Sequence, residues 1–183
     1  MADRTGATST TAERLVLGAG IISVKATSGG SFVKIGATQG GGSFENGIPL
    51  RDVEVDGLQG ATKGLVFKDK GNPTLATTIL EITKAQIQQL IPGSQLVGNV
   101  ITSNGQIKAT DYLAEVKWTG YRADSTEVIE IVLKNCLVKD PLSLGFVEEE
   151  ATIPVTFTGH FDLDDSETTD GYLPEPWSIT SIT

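Results

Sequence analysis

Chemistry by nucleophile and base needs an activated side chain with a partner that moves its proton, and this sequence offers few of either. His160 is its only histidine and Cys136 its only cysteine. His160 stands between Gly159 and Phe161 in a run that alternates like a strand, so it reads as a polar strand position and not as a base. Cys136 sits among Leu133, Leu137 and Val138 and reads as a small buried hydrophobe. A single cysteine allows no intrachain disulfide and no cysteine-rich structural zinc site, and it suits folding in a reducing cytoplasm. Two glycine patterns fail as nucleotide sites on spacing. Gly18-x-Gly20 lacks the third glycine three positions on, and the Gly57 to Gly64 segment lacks the Gly-Lys-Ser/Thr ending of a phosphate loop. Asp162-x-Asp164-Asp165-Ser166 begins like a calcium loop but carries Glu167 where that loop requires glycine, so it reads as a solvated acidic turn. No catalytic residue, metal ligand or cofactor is expected, and the chain is not expected to be an enzyme.

The charge balance narrows the partners. Lys and Arg total 14 against 23 Asp and Glu, a formal charge of -9, which opposes attraction to nucleic-acid phosphates. Met1 to Arg14 is polar and Thr-rich with no apolar signal-peptide core, and no run of about 18 apolar residues occurs, so neither secretion nor membrane insertion is expected. Such an N-terminal segment offers little apolar surface to offset its ordering entropy, and residues 1–14 read as a flexible arm.

The elements that would position any functional residue are mainly strands. At 183 residues and 39 % hydrophobic, the chain can bury one ordinary core. Its 21 glycines against a single Met point to strands joined by tight turns. Strands are predicted at Leu15 to Val24, Phe32 to Ala37, Leu50 to Val55 and Thr74 to Ile82, then from Tyr112 to Thr119, Glu127 to Val138 and Ala151 to Phe161. In the last of these, Ile153, Val155, Phe157 and Phe161 share an apolar face. Thr83-x-x-Gln86 is a capping box before Ile87, Leu90 and Ile91, and Pro92-Gly93 stops the run, so one helix is predicted over about 83–91, lying against the sheet. Residues 57 to 73 read as a long loop with an apolar centre, Leu65-Val66-Phe67, flanked by Lys63, Lys68 and Lys70. Asp52 and Glu54 share one side of the alternating Leu50 to Val55 run. Residues 162–183, acidic and then Pro- and Ser/Thr-rich, read as a C-terminal arm without a core of its own, leaving 15–161 as the β domain.

Taken in order, several segments resemble the major tail tube proteins of long-tailed, siphovirus-type bacteriophages, over about Leu15 to Trp177. They are Leu17-Gly18-Ala19-Gly20, then Gly36-Ala37-Thr38-Gln39-Gly40-Gly41, then Arg51-Asp52-Val53-Glu54-Val55-Asp56-Gly57 followed by Lys63-Gly64. Glu81-Ile82-Thr83 leads into the helix. Leu133-Lys134-Asn135-Cys136, Val155-Thr156-Phe157-Thr158-Gly159-His160-Phe161-Asp162 and Pro174-Glu175-Pro176-Trp177 complete the set.

The resemblance implies two packed antiparallel sheets, sandwich- or barrel-like, with one flanking helix. It further implies a virion protein made in the host bacterial cytoplasm, six copies of which form a ring. Rings stack into a hollow tail tube that double-stranded DNA passes at ejection without specific binding. Its partners would be further copies of itself, the tape measure, the tail terminator and the distal tail proteins, with no membrane. In that family neighbouring sheets join edge to edge and a long loop with the terminal arms stacks the rings. By position the loop is 57–73, with Lys63, Leu65, Val66, Phe67 and Lys68 at the contact, and Asp52 and Glu54 are acidic candidates for the lumen. A contractile-tail or gene-transfer-particle tube subunit, or a tail terminator, would share much of this fold. The alternative from another class is a virion-associated or extracellular β-sandwich adhesion module, with Trp118, Tyr121 and Trp177 as sugar platforms.

Overall fold

A computed structural model of the chain describes residues 16–57, 59–69, 71–122, 128–145, 151–166 and 173–182. The arm expected at 1–14 lies outside the described residues. Among the described residues the protein is mainly β with one α-helix, as the sequence predicts. In chain order the strands are β1 (Val16–Lys25), β2 (Val33–Lys34), β3 (Thr38–Glu45), β4 (Leu50–Asp52), β5 (Val66–Lys68) and β6 (Thr74–Ile79), then helix α1 (Lys84–Leu90). They continue with β7 (Ser94–Val97), β8 (Val100–Ser103), β9 (Leu113–Arg122), β10 (Val128–Val138), β11 (Ile153–Thr158) and β12 (Trp177–Ile182).

All pairings are antiparallel, and β10 belongs to two sheets. One sheet runs β2-β1-β9-β10-β12 and the other β10-β11-β6-β3. Val128 to Leu133 pair with β12, whereas Leu137 and Val138 pair with β11. The change of neighbour occurs at Asn135, a non-glycine residue with φ 50°. There the polar groups are tied off locally. Lys134 donates its backbone N–H to Pro176 and accepts from the His160 N–H, and His160 Nδ1 lies 2.9 Å from the Asn135 carbonyl. One long strand thereby turns a corner without orphaning buried backbone.

The two sheets face each other across a single apolar cluster. Ile22, Val24, Val116 and Leu133 come from the first, and Leu75, Ile79, Ile153, Val155 and Phe157 from the second. The period-two alternation of β6 and β11 delivers this, every second residue being buried. Trp118 extends the cluster by lying over Gly20 and Gly120, where an added Cβ would stand 1.9 and 2.0 Å from the indole. Helix α1 starts as predicted. Thr83 accepts from the Gln86 N–H at 3.3 Å, the Gln86 side chain accepts from the Thr83 N–H at 2.6 Å, and Leu90 enters the core.

Several expectations change. Residues 162–183 are not all an arm without a core, because β12 pairs with β10 along six residues, Pro176 is buried and Trp177 packs on Phe44 with ring centroids 5.5 Å apart. The run predicted at Phe32 to Ala37 shortens to β2, and Leu50 to Val55 shortens to β4. β3 and the β7–β8 hairpin are strands that the sequence reading did not predict.

Candidate assembly interface

The segment between β3 and β6 is a ribbon that departs from the sandwich. Its neck is held by close backbone approach. Gly47 has φ 64°, and a Cβ there would stand 1.9 Å from the Asn72 carbonyl oxygen, so only glycine fits. The Asn72 side-chain amide donates to the Gly159 carbonyl at 2.8 Å and the Gly159 N–H donates to Pro73 at 2.9 Å, fixing the neck to the end of β11. Beyond it, β4 and β5 pair with Leu50 opposite Lys68, Arg51 opposite Phe67 and Asp52 opposite Val66. The Val53 N–H extends the ladder to the Leu65 carbonyl at 2.8 Å. The expected 57–73 loop is therefore in part a strand, and its partner is the run that holds Asp52.

The residues singled out from the sequence meet here. Leu65 is half-buried, while Val66, Phe67, Lys63 and Lys68 are exposed. Leu50, Val55, Val66 and Phe67 keep 69 %, 47 %, 45 % and 49 % of their surface in solvent, four large apolar side chains on one short ribbon. Lys68 Nζ lies 3.1 Å from Glu175 Oε1 just before β12, and Arg51 lies 3.9 Å from Asp69. These exposed pairs add little stability. Asp52 and Glu54 are both exposed on the ribbon, and β4 ends at Asp52, so Glu54 lies past the end of the strand.

Elsewhere the polar groups are structural. Cys136 is fully buried and desolvation pushes its thiol up to about 12, so it carries no thiolate. His160 lies just past β11 and not within a strand. Burial lowers its pKa, the Asn135 carbonyl opposes that shift, and its ring packs edge-on against Tyr112 at 5.3 Å. In the acidic turn the Asp164 N–H donates to Asp162 Oδ1 at 3.1 Å. Among the described residues no group of three His, Cys, Asp or Glu is placed to hold a metal, and no helix is long and apolar enough to cross a membrane. The aromatics weighed as sugar platforms do not share a face. Trp118 and Trp177 pack toward the core, whereas Tyr121, at odd spacing from Trp118 on β9, points to the other side.

The chain matches no protein-family model and no curated protein sequence. Among the described residues β3 and β12 each pair on one side only. β12, Trp-Ser-Ile-Thr-Ser-Ile, carries no charge or proline of the kind that guards a free edge, and Ile179 on it is 53 % exposed. A sequence signal for this edge existed in its β-branched alternation, masked by the prolines before it. The β7–β8 hairpin also had one, Gly98-Asn99 between two apolar pairs.

Proposed function

We propose that this chain is the repeating subunit of a bacteriophage tail tube, a structural virion protein whose rings of six stack into a hollow conduit for DNA. The observation that carries this reading is the ribbon, with Leu50, Val55, Val66 and Phe67 exposed together outside a complete core. An apolar projection that adds nothing to its own core is explained by a partner. The unguarded edge of β12 supplies a second contact, since an unpaired row of N–H and C=O groups pairs with another strand. Two unlike contacts on one chain suit a repeating assembly, one within the ring and one between rings.

The net charge of -9 fits a conduit that DNA must slide through without adhering. Asp52 and Glu54 remain the acidic candidates for the bore. If either lines it, Asp52→Lys with Glu54→Lys permits assembly and slows ejection, and particles with unchanged ejection kinetics remove both from the lumen. The tape measure, terminator and distal tail proteins are the partners this role requires, and the virion tail is its location.

Sedimentation of the purified protein over a wide concentration range tests the proposal. Species at multiples of six subunits of 19.3 kDa are expected. A monomer at every concentration, with or without tail partners, would overturn it.

A further inference from the structure

Two of the five asparagines precede glycine, Asn46-Gly47 and Asn104-Gly105. In such a dipeptide the glycine nitrogen reaches the asparagine side chain most readily, because no Cβ obstructs it and the peptide between them turns easily. Both asparagines are exposed, and both glycines hold positive φ, 64° at Gly47 and 72° at Gly105. Neither solvent access nor backbone conformation separates the two sites. Their surroundings do. At the neck of the ribbon a Cβ on Gly47 would stand 1.9 Å from the Asn72 carbonyl oxygen, and one on Gly71 would stand 1.7 Å from the Gly47 carbonyl oxygen. The peptides flanking Gly47 are thus pressed against the backbone of residues 71 and 72. Gly105 lies in the turn after β8, where an added Cβ would meet nothing within 4 Å. The Asn104 N–H is tied to the Gly93 carbonyl at 2.6 Å, but that bond precedes the peptide that must turn, whose own N–H makes a long, exposed bond to Ser103 Oγ at 3.3 Å.

We propose that Asn104 is a site of spontaneous deamidation in the folded protein, and that the neck of the ribbon protects Asn46 from the same reaction. The Gly105 backbone nitrogen gives its proton to hydroxide and bonds to Asn104 Cγ. The Cγ–Nδ2 bond then breaks, and the nitrogen takes up protons from water and leaves as ammonia. Water adds to either carbonyl of the cyclic imide and opens it to aspartate or to isoaspartate. The net change is hydrolysis of one amide, with nothing oxidised or reduced. Closing the imide requires the peptide after the asparagine to swing toward its side chain. In the turn after β8 that swing enters open space, whereas at the neck it must first part Gly47 from Gly71 and Asn72, a local opening that lowers the rate. Either product adds a negative charge to a chain already at -9. Isoaspartate also lengthens the main chain by one carbon. Between β8 and the segment after it the added length falls beside open space, but at Asn46 it would force the neck apart. The close backbone approach that anchors the ribbon therefore also preserves its chemistry.

The test incubates the full-length protein at mildly alkaline pH, digests it at intervals and follows both sites by peptide mass spectrometry, with enzymatic methylation of isoaspartate as a second probe. Acid is expected to accumulate at Asn104 while Asn46 converts slower by about tenfold or more. In urea, where the neck is gone, the two rates should become similar. Asn104→Gln is expected to remove most isoaspartate labelling from the folded protein. Asn72→Ala, which deletes the 2.8 Å bond from the neck to the Gly159 carbonyl, is expected to raise the Asn46 rate and leave the Asn104 rate unchanged. Equal rates at the two sites in the folded wild-type chain, or an Asn104 that stays an amide over a time in which both sites convert in urea, would overturn the proposal.

Discussion

The corner of the sandwich around Asn135 and the β4–β5 ribbon both depart from regular sheet, yet they are built in opposite ways. At the corner, side chains and backbone close on one another: Asn135 holds φ 50°, its carbonyl meets His160, its side-chain amide reaches Asp162 Oδ2 at 3.5 Å, and Cys136 beside it is fully buried. In the ribbon the glycine-packed neck is anchored, but everything past it is a short ladder with apolar residues facing water. The corner spends its special geometry on making one core out of two sheets. No described residue of the ribbon belongs to that core cluster, so under the proposed function stability and assembly would lie in different parts of the chain. Substitutions in the sandwich should act on folding, and those in the ribbon on association.

The largest effect expected is at the centre of the core. Phe157→Ala removes a ring with 0 % exposure and should cost about 3–5 kcal/mol, read as a lowered denaturant midpoint with an unchanged slope. A smaller loss is expected from Gly120→Val, which would press two methyls into Trp118. Overpacking of this kind costs roughly 1–3 kcal/mol, and a change in indole fluorescence should accompany the loss. Thr83→Ala breaks the capping box and should cost about 1 kcal/mol by the same unfolding measurement. The sharpest contrast is with Leu50→Ser combined with Val66→Ser. Stability should move by no more than about 0.5 kcal/mol, while assembly measured by light scattering should be lost. A large loss of stability there would erase the distinction between the two regions.

Those regions also differ in how far the sequence disclosed them. Strands with one dry side were legible because burial imposes a period of two, as in Thr74 to Ile79 and Ile153 to Thr158. The helix start was legible because the Thr83 and Gln86 side chains act locally. β3 was hidden by Gly40, Gly41 and Gly42, which erase alternation and shift the register against β6. β12 was hidden because Pro174 and Pro176 stand just before its β-branched alternation, and its pairing with β10 joins residues distant in sequence. At the candidate site the apolar centre Leu65-Val66-Phe67 was visible as composition, but its pairing with Leu50 to Asp52 depends on a contact across a long turn. For the same reason Asp52 and Glu54 looked like one strand face, whereas β4 ends between them.

Negative-stain electron microscopy of the purified wild-type protein, imaged over increasing concentration, tests the central claim most directly. Rings with six-fold symmetry that stack into hollow tubes are predicted. Particles that remain single subunits at every concentration, and also in the presence of tail partners, would contradict it.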